Sequence, residues 1–253
     1  MVIGDKPSGV PEDEPSVVAE ETVSVVGAPK PWYRRGSTIA GIALVVVAAI
    51  VALVFMNGRA EHSNSADTLA VEYLPVRPPG QNETIKQYLE DNDIISVPVR
   101  PGDTGAPKIA IALPQGWSDL AEDTPAYAYG AVQLDTAPNP NDPPTITVLL
   151  SKLAGDVDPV KILEYAPGEL RNLPEFVAAN EPTTDKLSGF DAVQLAGLYE
   201  RDGTQRTIAQ KTVVFPANDG VYVLQINADG LKSDAIELMK ATEVIDKESK
   251  ITP

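Results

Sequence analysis

Cysteine is absent from the 253 residues, and histidine occurs once, at His62. Without cysteine the chain has no disulfide, no thiolate metal ligand, no thiol nucleophile and no cysteine on which a lipid anchor is built. A Ser-His-Asp triad needs a histidine held within hydrogen-bond reach of its serine, whereas His62 lies in a polar stretch typical of a linker. The sequence therefore excludes thiol chemistry, triad hydrolysis and a histidine-ligated zinc site.

Basic charge is also scarce. The chain has 20 Lys and Arg residues against 36 Asp and Glu residues, which gives a formal net charge of −16. Nucleic-acid binding needs clustered Lys and Arg against phosphates, so we expect no nucleic-acid partner. The same balance opposes broad adsorption to anionic lipid headgroups.

One long apolar run sets the expected topology. Residues 37–56 read STIAGIALVVVAAIVALVFM and carry no charge. As a helix they span about 30 Å, the thickness of a bilayer's hydrocarbon core. Arg34 and Arg35 precede the run, and by the positive-inside rule they keep the N-terminus in the cytoplasm. The run is longer than the apolar part of a signal peptide and starts later. The sequence predicts a retained single-pass helix in the plasma membrane.

Composition divides the rest of the chain into three parts. Residues 1–36 are polar, proline-rich and acidic, which predicts a disordered cytoplasmic tail. Residues 57–80 end in PVRPPG, a sequence that favours extended backbone, and we expect an extracytoplasmic linker there. Residues 81–253 carry the periodic patterns of a folded domain, which this topology places outside the membrane.

Three helices are predicted in that domain. Thr84 is a cap for a short helix with apolar residues at i, i+3 and i+4. Asp158 followed by Pro159 marks a second helix start, and this helix is expected to run toward Leu173. The last helix follows a stripe at helical spacing that comprises Leu231, Ala235, Leu238, Thr242 and Ile245.

Strand patterns fill the remainder. Strands are predicted at residues 108–113, 126–134, 145–150, 207–215 and 221–226. A further strand carries Val193, Leu195 and Tyr199 on one face and ends at Asp202-Gly203, a strong hairpin signal. Consecutive strands joined by tight turns favour an antiparallel sheet, and helices covering it give an α+β domain.

Candidate chemistry is sparse. Asp103-Thr104-Gly105 matches half of an aspartic-protease site, which needs two such carboxylates and hence a dimer. The preceding residues, Arg-Pro-Gly, favour a surface loop instead. Glu122-Asp123 and the asparagine-rich loop around Asp142 lack the ordered spacing of an EF-hand. The sequence predicts no catalytic residue, no metal site and no cofactor.

Three aromatic residues are candidates for ligand binding. Tyr127 and Tyr129 are expected on the same face of the strand at 126–134, and Trp117 precedes that strand. Together they rim an apolar ligand cavity in one interpretation and belong to the packed core in the other.

Five segments of the domain resemble the LpqN/LpqT family of mycobacterial cell-envelope lipoproteins. They are DPVKILEYAPGELRNLP at 158–174, LSGFDAVQLAGL at 187–198, QKTVVFP at 210–216, YVLQINADGL at 222–231 and ATEVIDKESKITP at 241–253. The resemblance covers residues 81–253 and implies a Mog1/PsbP-like fold, an antiparallel sheet with helices on its faces. It also implies a place on the outer side of an actinobacterial plasma membrane and a link to envelope lipid handling. Implied partners are an envelope lipid or glycolipid, lipid transporters and mycolyl-transfer enzymes. The family offers no active site to carry over.

The missing cysteine is a departure from that family, whose typical members are lipidated on one. Here the helix at 37–56 is expected to replace the lipid anchor. The resulting hypothesis is a non-enzymatic, membrane-anchored accessory or binding protein at the outer face. Two alternatives stay open: a hydrolase that uses carboxylates only, and a structural or antigenic surface protein with no concave apolar site.

Overall fold

The computed structural model describes residues 71–217 and 219–253. The predicted tail, the apolar run at 37–56 and residues 57–70 of the predicted linker lie outside the described residues. Among the described helices, none has the length and apolar character needed to span a bilayer.

Short elements occupy the first half of the described chain. They are, in order, α1 Ile85–Asp91, β1 Ile95–Pro98, β2 Lys108–Ala110, β3 Trp117–Asp119, β4 Gly130–Leu134, β5 Thr145–Ala154, α2 Pro159–Tyr165 and α3 Pro167–Arg171. The second half holds the long strands and the long helix: β6 Val177–Ala178, β7 Thr183–Leu187, β8 Phe190–Arg201, β9 Thr204–Ala217, β10 Gly220–Leu231, α4 Ala235–Glu248 and β11 Lys250–Thr252.

Nine of the strands form one antiparallel sheet in the order β3-β4-β5-β10-β9-β8-β6. β1 pairs with β5 beside β4, and β7 pairs with β8 beside β6. β2 and β11 make a separate two-stranded sheet. The α+β class and the antiparallel sheet predicted from the sequence are confirmed.

Helices cover both faces of the sheet. On the front face, α4 places Leu238 and Ile245 against a cluster that includes Val213 of β9. On the back face, α1 and α2 pack against Val214 of β9 in a second cluster. A third cluster joins α3 to β8 on this same back face. Successive residues of β9 are therefore buried on opposite faces, with Val213 at 0% and Val214 at 6% exposure.

Local turn chemistry accounts for the main hairpin. Asp202 and Gly203 have φ angles of +52° and +75°, and Arg201 pairs directly with Thr204. Positive φ at both central residues is the two-residue turn that matches the twist of antiparallel strands. The predicted hairpin between β8 and β9 is confirmed.

The second helix differs from its prediction. The Asp158 carboxylate accepts from the Val160 N–H at 2.8 Å, which confirms the predicted start. The predicted continuation to Leu173 is wrong, since α2 ends at Tyr165 and Pro167 opens a separate helix, α3. Proline lacks the N–H of a helix interior and its ring clashes with the preceding turn, so it starts a helix more readily than it continues one.

Other boundaries also differ from the sequence prediction: β2 ends at Ala110, and β5, β9 and β10 are longer than predicted. The strand predicted at 126–134 begins at Gly130, because the Ala128 N–H donates to the Pro125 carbonyl at 2.8 Å and makes a turn. The last helix begins at Ala235, and Leu231 is the final residue of β10.

Residues 71–82, which we call the strap, are attached to the back-face helices. Val71 and Tyr73 pack against the back-face cluster. The Arg171 guanidinium donates to the Leu74 carbonyl at 3.0 Å, and the buried Asn82 side chain donates to the Arg77 carbonyl at 2.9 Å. The described part of the predicted linker thus packs against the domain.

Thr212 generates a prediction on stability. Its side chain is 0% exposed, and its hydroxyl has no hydrogen-bond partner within the described structure. Burying an unpaired hydroxyl costs about 1–3 kcal/mol, and valine has nearly the same shape. We expect Thr212→Val to raise the free energy of unfolding by about 1 kcal/mol, measured by guanidinium denaturation of the full chain.

The matched control is Thr147→Val on β5, whose side chain is half-buried on the same back face. It should change the free energy of unfolding by less than about 0.5 kcal/mol. A loss of stability in Thr212→Val would contradict the interpretation and show that the hydroxyl has a partner.

Candidate functional site

The three aromatic candidates lie in different environments. Trp117 is 5% exposed within the front-face core, Tyr127 is 67% exposed, and Tyr129 is half-buried against that core. Because β4 begins at Gly130, Tyr127 and Tyr129 do not share a strand face. The two cavities described below are lined by other residues, so a ligand role for this trio stays a sequence prediction.

The acidic motifs occupy loops. The Asp103 carboxylate accepts from the Arg100 N–H at 2.8 Å and closes an exposed turn. Asp142 accepts from the Arg206 guanidinium. Across the described residues, no cluster of three or more acidic or histidine side chains is placed to hold a metal ion.

An apolar cleft of about 270 Å³ opens on the back face, where β9 ends and β10 begins. We call it the apolar cleft. Its lining comprises Pro159, Leu163, Gly189, Phe190, Asp191, Val214, Phe215, Pro216 and Val221. Phe190 and Phe215 belong to the front-face cluster, and the back-face residues of the lining other than Asp191 are apolar, so the cleft favours a hydrocarbon group.

Local sequence builds each wall of the apolar cleft. Pro159 begins α2 because the Asp158 cap satisfies the first N–H groups, and Leu163 follows one turn later with 1% exposure. The opposite wall is the β7–β8 turn, where Gly189 has a φ of +88°. At the rim, Lys186 contacts the Asp191 carboxylate at 3.1 Å.

A smaller cavity of about 70 Å³ lies between α4 and the front face. Lys211, 5% exposed, lines it and forms ion pairs with Asp185 at 3.0 Å and with Asp246 of α4 at 2.8 Å. A space of this size holds only a few water molecules. We assign it to the attachment of α4 and not to ligand binding.

Glu169 is the carboxyl group with a raised pKa in the described part of the chain. It accepts from the Gln225 side chain at 3.2 Å and from the Gln210 side chain at 3.4 Å. Burial raises the pKa of Glu169 above its ordinary value, and the two amide donors offset part of that effect. Its hydrogen-bond partners are therefore amides, whereas an acid–base pair of the protease type needs a second carboxylate beside it.

A charged cluster lies on the back face near the β8–β9 hairpin. Arg206 is 3% exposed and donates to the carboxylates of Asp229 and Asp142. The Tyr199 hydroxyl also donates to Asp229, and burial together with that carboxylate raises the pKa of Tyr199. Because Asp142 belongs to the loop between β4 and β5, the cluster ties that loop to the sheet.

Sequence reasoning missed the apolar cleft. Its walls come from segments far apart in the chain. In the sequence, single residues such as Leu163 and Val221 have the pattern of ordinary core positions. The available signals were Pro159, Gly189 and Pro216, which interrupt regular structure near one end of the sheet.

The family comparison covers the described domain. A family model described as "Probable lipoprotein LpqN" matches residues 81–252. Lipoprotein LpqN of Mycobacterium tuberculosis (strain ATCC 25618 / H37Rv) is 48% identical over 174 residues, covering 69% of this chain and 76% of that protein. A protein named as an LpqT lipoprotein of Mycobacterium leprae is 23% identical over 175 residues, covering 67% of this chain and 76% of that protein.

A solved structure is similar over the same region. The crystal structure of LpqN, described as involved in cell envelope biogenesis of Mycobacterium tuberculosis, has a TM-score of 0.66 and 47% identity to this chain. The match covers 69% of this chain and 100% of the crystallised one. Since that entire chain corresponds to the domain alone, a domain of this extent folds by itself. The experiments below therefore use residues 71–253, which keep the strap.

Glu169 generates a prediction on pH dependence. Burial raises its pKa above 4.5, so the folded state holds the proton more tightly than the unfolded chain does. The stability that this bound proton contributes is fully present below the ordinary pKa of Glu169. It is lost as the pH rises through the pKa that Glu169 has in the folded state. We expect Glu169→Gln, which carries no charge, to gain stability relative to the wild type as the pH rises above the ordinary pKa of Glu169.

Urea denaturation of residues 71–253 at several pH values measures this difference. The control is Glu237→Gln on the exposed side of α4, where we expect a smaller pH-dependent difference. If the Glu169→Gln difference is no larger than that of the control, the assigned effect of burial is wrong.

Proposed function

The chain belongs to the LpqN lipoprotein family, and from this premise we propose that its domain is an extracytoplasmic accessory protein of cell-envelope biogenesis that binds the alkyl part of an envelope lipid or glycolipid. The solved relative, at 47% identity, is described as involved in cell envelope biogenesis. The apolar cleft is the observation that carries the proposal.

The size of the apolar cleft suits part of a lipid. Pockets that enclose a whole small ligand run from about 300 to about 1,000 Å³, somewhat above the 270 Å³ of this cleft. One end of an alkyl chain enters while the rest of the lipid stays outside. Each buried methylene contributes about 0.8 kcal/mol. The Lys186–Asp191 pair at the rim offers hydrogen bonds to the hydroxyl groups of a polar head.

Binding is favoured over the two alternatives. A hydrolase that uses carboxylates only needs two facing carboxylates with a raised pKa, whereas Glu169 faces the amides of Gln210 and Gln225. A purely structural surface protein was expected to have no concave apolar site, and the cleft counts against that expectation.

Anchoring is part of the same proposal. The predicted membrane helix at 37–56 would keep the domain at the outer face of the plasma membrane, close to its lipid ligands. Such confinement raises the effective concentration of domain and ligand without any added contact.

Alkyl maltosides of increasing chain length test the proposal. Binding to residues 71–253 is measured by calorimetry below the micelle concentration of each compound, with maltose as the probe for the head alone. We expect affinity to rise with alkyl length until the apolar cleft is full, and we expect maltose alone to bind at least tenfold more weakly than the longest compound, a difference of about 1.4 kcal/mol.

Variants locate the binding to the apolar cleft. Val221→Trp fills it from the start of β10, and Pro216→Trp narrows its exposed lip. Each is expected to weaken binding of the longest maltoside about tenfold or more. Ile236→Trp, an exposed site on α4 at 48% exposure, is the matched control and should bind as the wild type does. Wild-type affinity in both cleft variants with unchanged melting temperatures would refute the site, as would affinity independent of alkyl length.

A further inference from the structure

β1 is an edge strand with apolar side chains left in solvent. Among the described strands it pairs with β5 alone. Ile95 is 64% exposed and Val97 is 50% exposed. They lie opposite Ala154 and Lys152, and directly paired residues of an antiparallel ladder share a face, so both side chains lie on the front face.

The outer edge of β1 has few donors. The Val99 N–H donates to the Leu150 carbonyl at 2.8 Å, so the odd-numbered residues of β1 bond to β5. By the same alternation, the N–H and C=O of Ser96 point outward, and so does the C=O of Pro98, which has no N–H. The edge therefore presents one backbone donor and two acceptors.

Carboxylates surround the start of this edge. Glu90 and Asp91 end α1, Asp93 follows in the turn, and Asp156 lies two residues beyond Ala154, the partner of Ile95. All four acidic side chains are exposed. α1 covers the back face and contacts β1, so Glu90 and Asp91 approach the strand from the side opposite to Ile95 and Val97.

We propose that the free edge of β1 is a docking site for an extended, basic segment of a partner protein, which adds a strand to the sheet. Charge selects this occupant. The edge is rich in acceptors and lies beside four carboxylates, of which Glu90 is paired with Lys86 at 3.5 Å, and such a site attracts lysine and arginine. A second copy of this chain, with its net charge of −16, would bring the same carboxylates together, and like charges at such a contact repel. Strand addition supplies affinity through backbone hydrogen bonds and specificity through alternate side chains.

The register of the added strand follows from the edge. The partner residue opposite Ser96 exchanges two backbone hydrogen bonds with it, and another partner N–H donates to the Pro98 carbonyl. The two neighbours of that central residue pack on Ile95 and Val97 at the front. Residues of the other parity place their side chains at the back, toward the end of α1 with Glu90 and Asp91. The edge thus selects alternating apolar and basic residues.

Three six-residue peptides test this proposal against residues 71–253 by NMR titration. One alternates valine and lysine, one has the same composition in two blocks, and one alternates valine and glutamate. We expect the alternating basic peptide to bind at least tenfold more tightly than either of the others, with shifts centred on the amides of residues 94–97. Equal binding of the alternating and blocked basic peptides would overturn the proposal, since general charge attraction does not distinguish them.

Variants separate the edge from the overall charge. Ser96→Pro removes the one outward donor at a position that leaves the β5 pairing intact, and we expect at least a tenfold loss of peptide affinity. Replacing Asp91 and Asp93 by asparagine should lower the affinity severalfold. The control pair, Glu122→Gln with Asp123→Asn, changes the net charge equally at an exposed turn elsewhere and should have a smaller effect. Equal losses in the two pairs, or wild-type affinity in a folded Ser96→Pro domain, would refute docking at β1.

Discussion

Burial of β9 on both faces is the constraint on which the rest of the structure depends. The buried polar side chains of this strand, apart from Thr212, pair with groups of a covering element or a neighbouring strand. Lys211 forms an ion pair with Asp246 of α4 on the front face of the sheet. On the back face, the Gln210 side chain donates to the Glu169 carboxylate of α3. Arg206 pairs with Asp229 of the neighbouring strand and with the loop residue Asp142. These polar pairs fix where α3, α4 and the loop between β4 and β5 attach to the sheet. A shifted helix would leave an ionic group buried without its partner, which would cost several kcal/mol of folding free energy.

The features that could be predicted from the sequence depend on neighbours in the chain. Asp202-Gly203 specifies its turn through positive φ, and Asp158 caps the helix that follows it, so both were found correctly. The features that were not predicted depend on residues distant in the chain. A Cβ on Gly168 would lie 1.7 Å from the Glu83 carbonyl oxygen, so the position of α3 depends on a contact some eighty residues away in sequence. The apolar cleft is lined by three segments that are far apart in the chain. No local sequence pattern indicates that these segments come together.

The apolar cleft and the β1 edge share one row of the sheet. Ser96 pairs with Leu153, Leu153 with Val221, and Val221 with Pro216, so four adjacent strands connect the edge to the cleft lining. Val221 and Pro216 contribute side chains to the cleft, and the backbone of Ser96 points outward at the edge. An added strand on β1 would therefore extend the row that carries the cleft, and a lipid and a protein segment would sit within a few strand widths of each other.

The strap determines where mechanical force enters the domain. Tension on the chain that precedes residue 71 acts first on the packing of Val71 and Tyr73 and on the hydrogen bond from Arg171 to the Leu74 carbonyl. These contacts belong to the helical layer of the back face, whereas the long ladders of β8, β9 and β10 lie beneath it. Tension from that direction would act on the contacts between the strap and the back-face helices before it acts on the hydrogen bonds of the sheet.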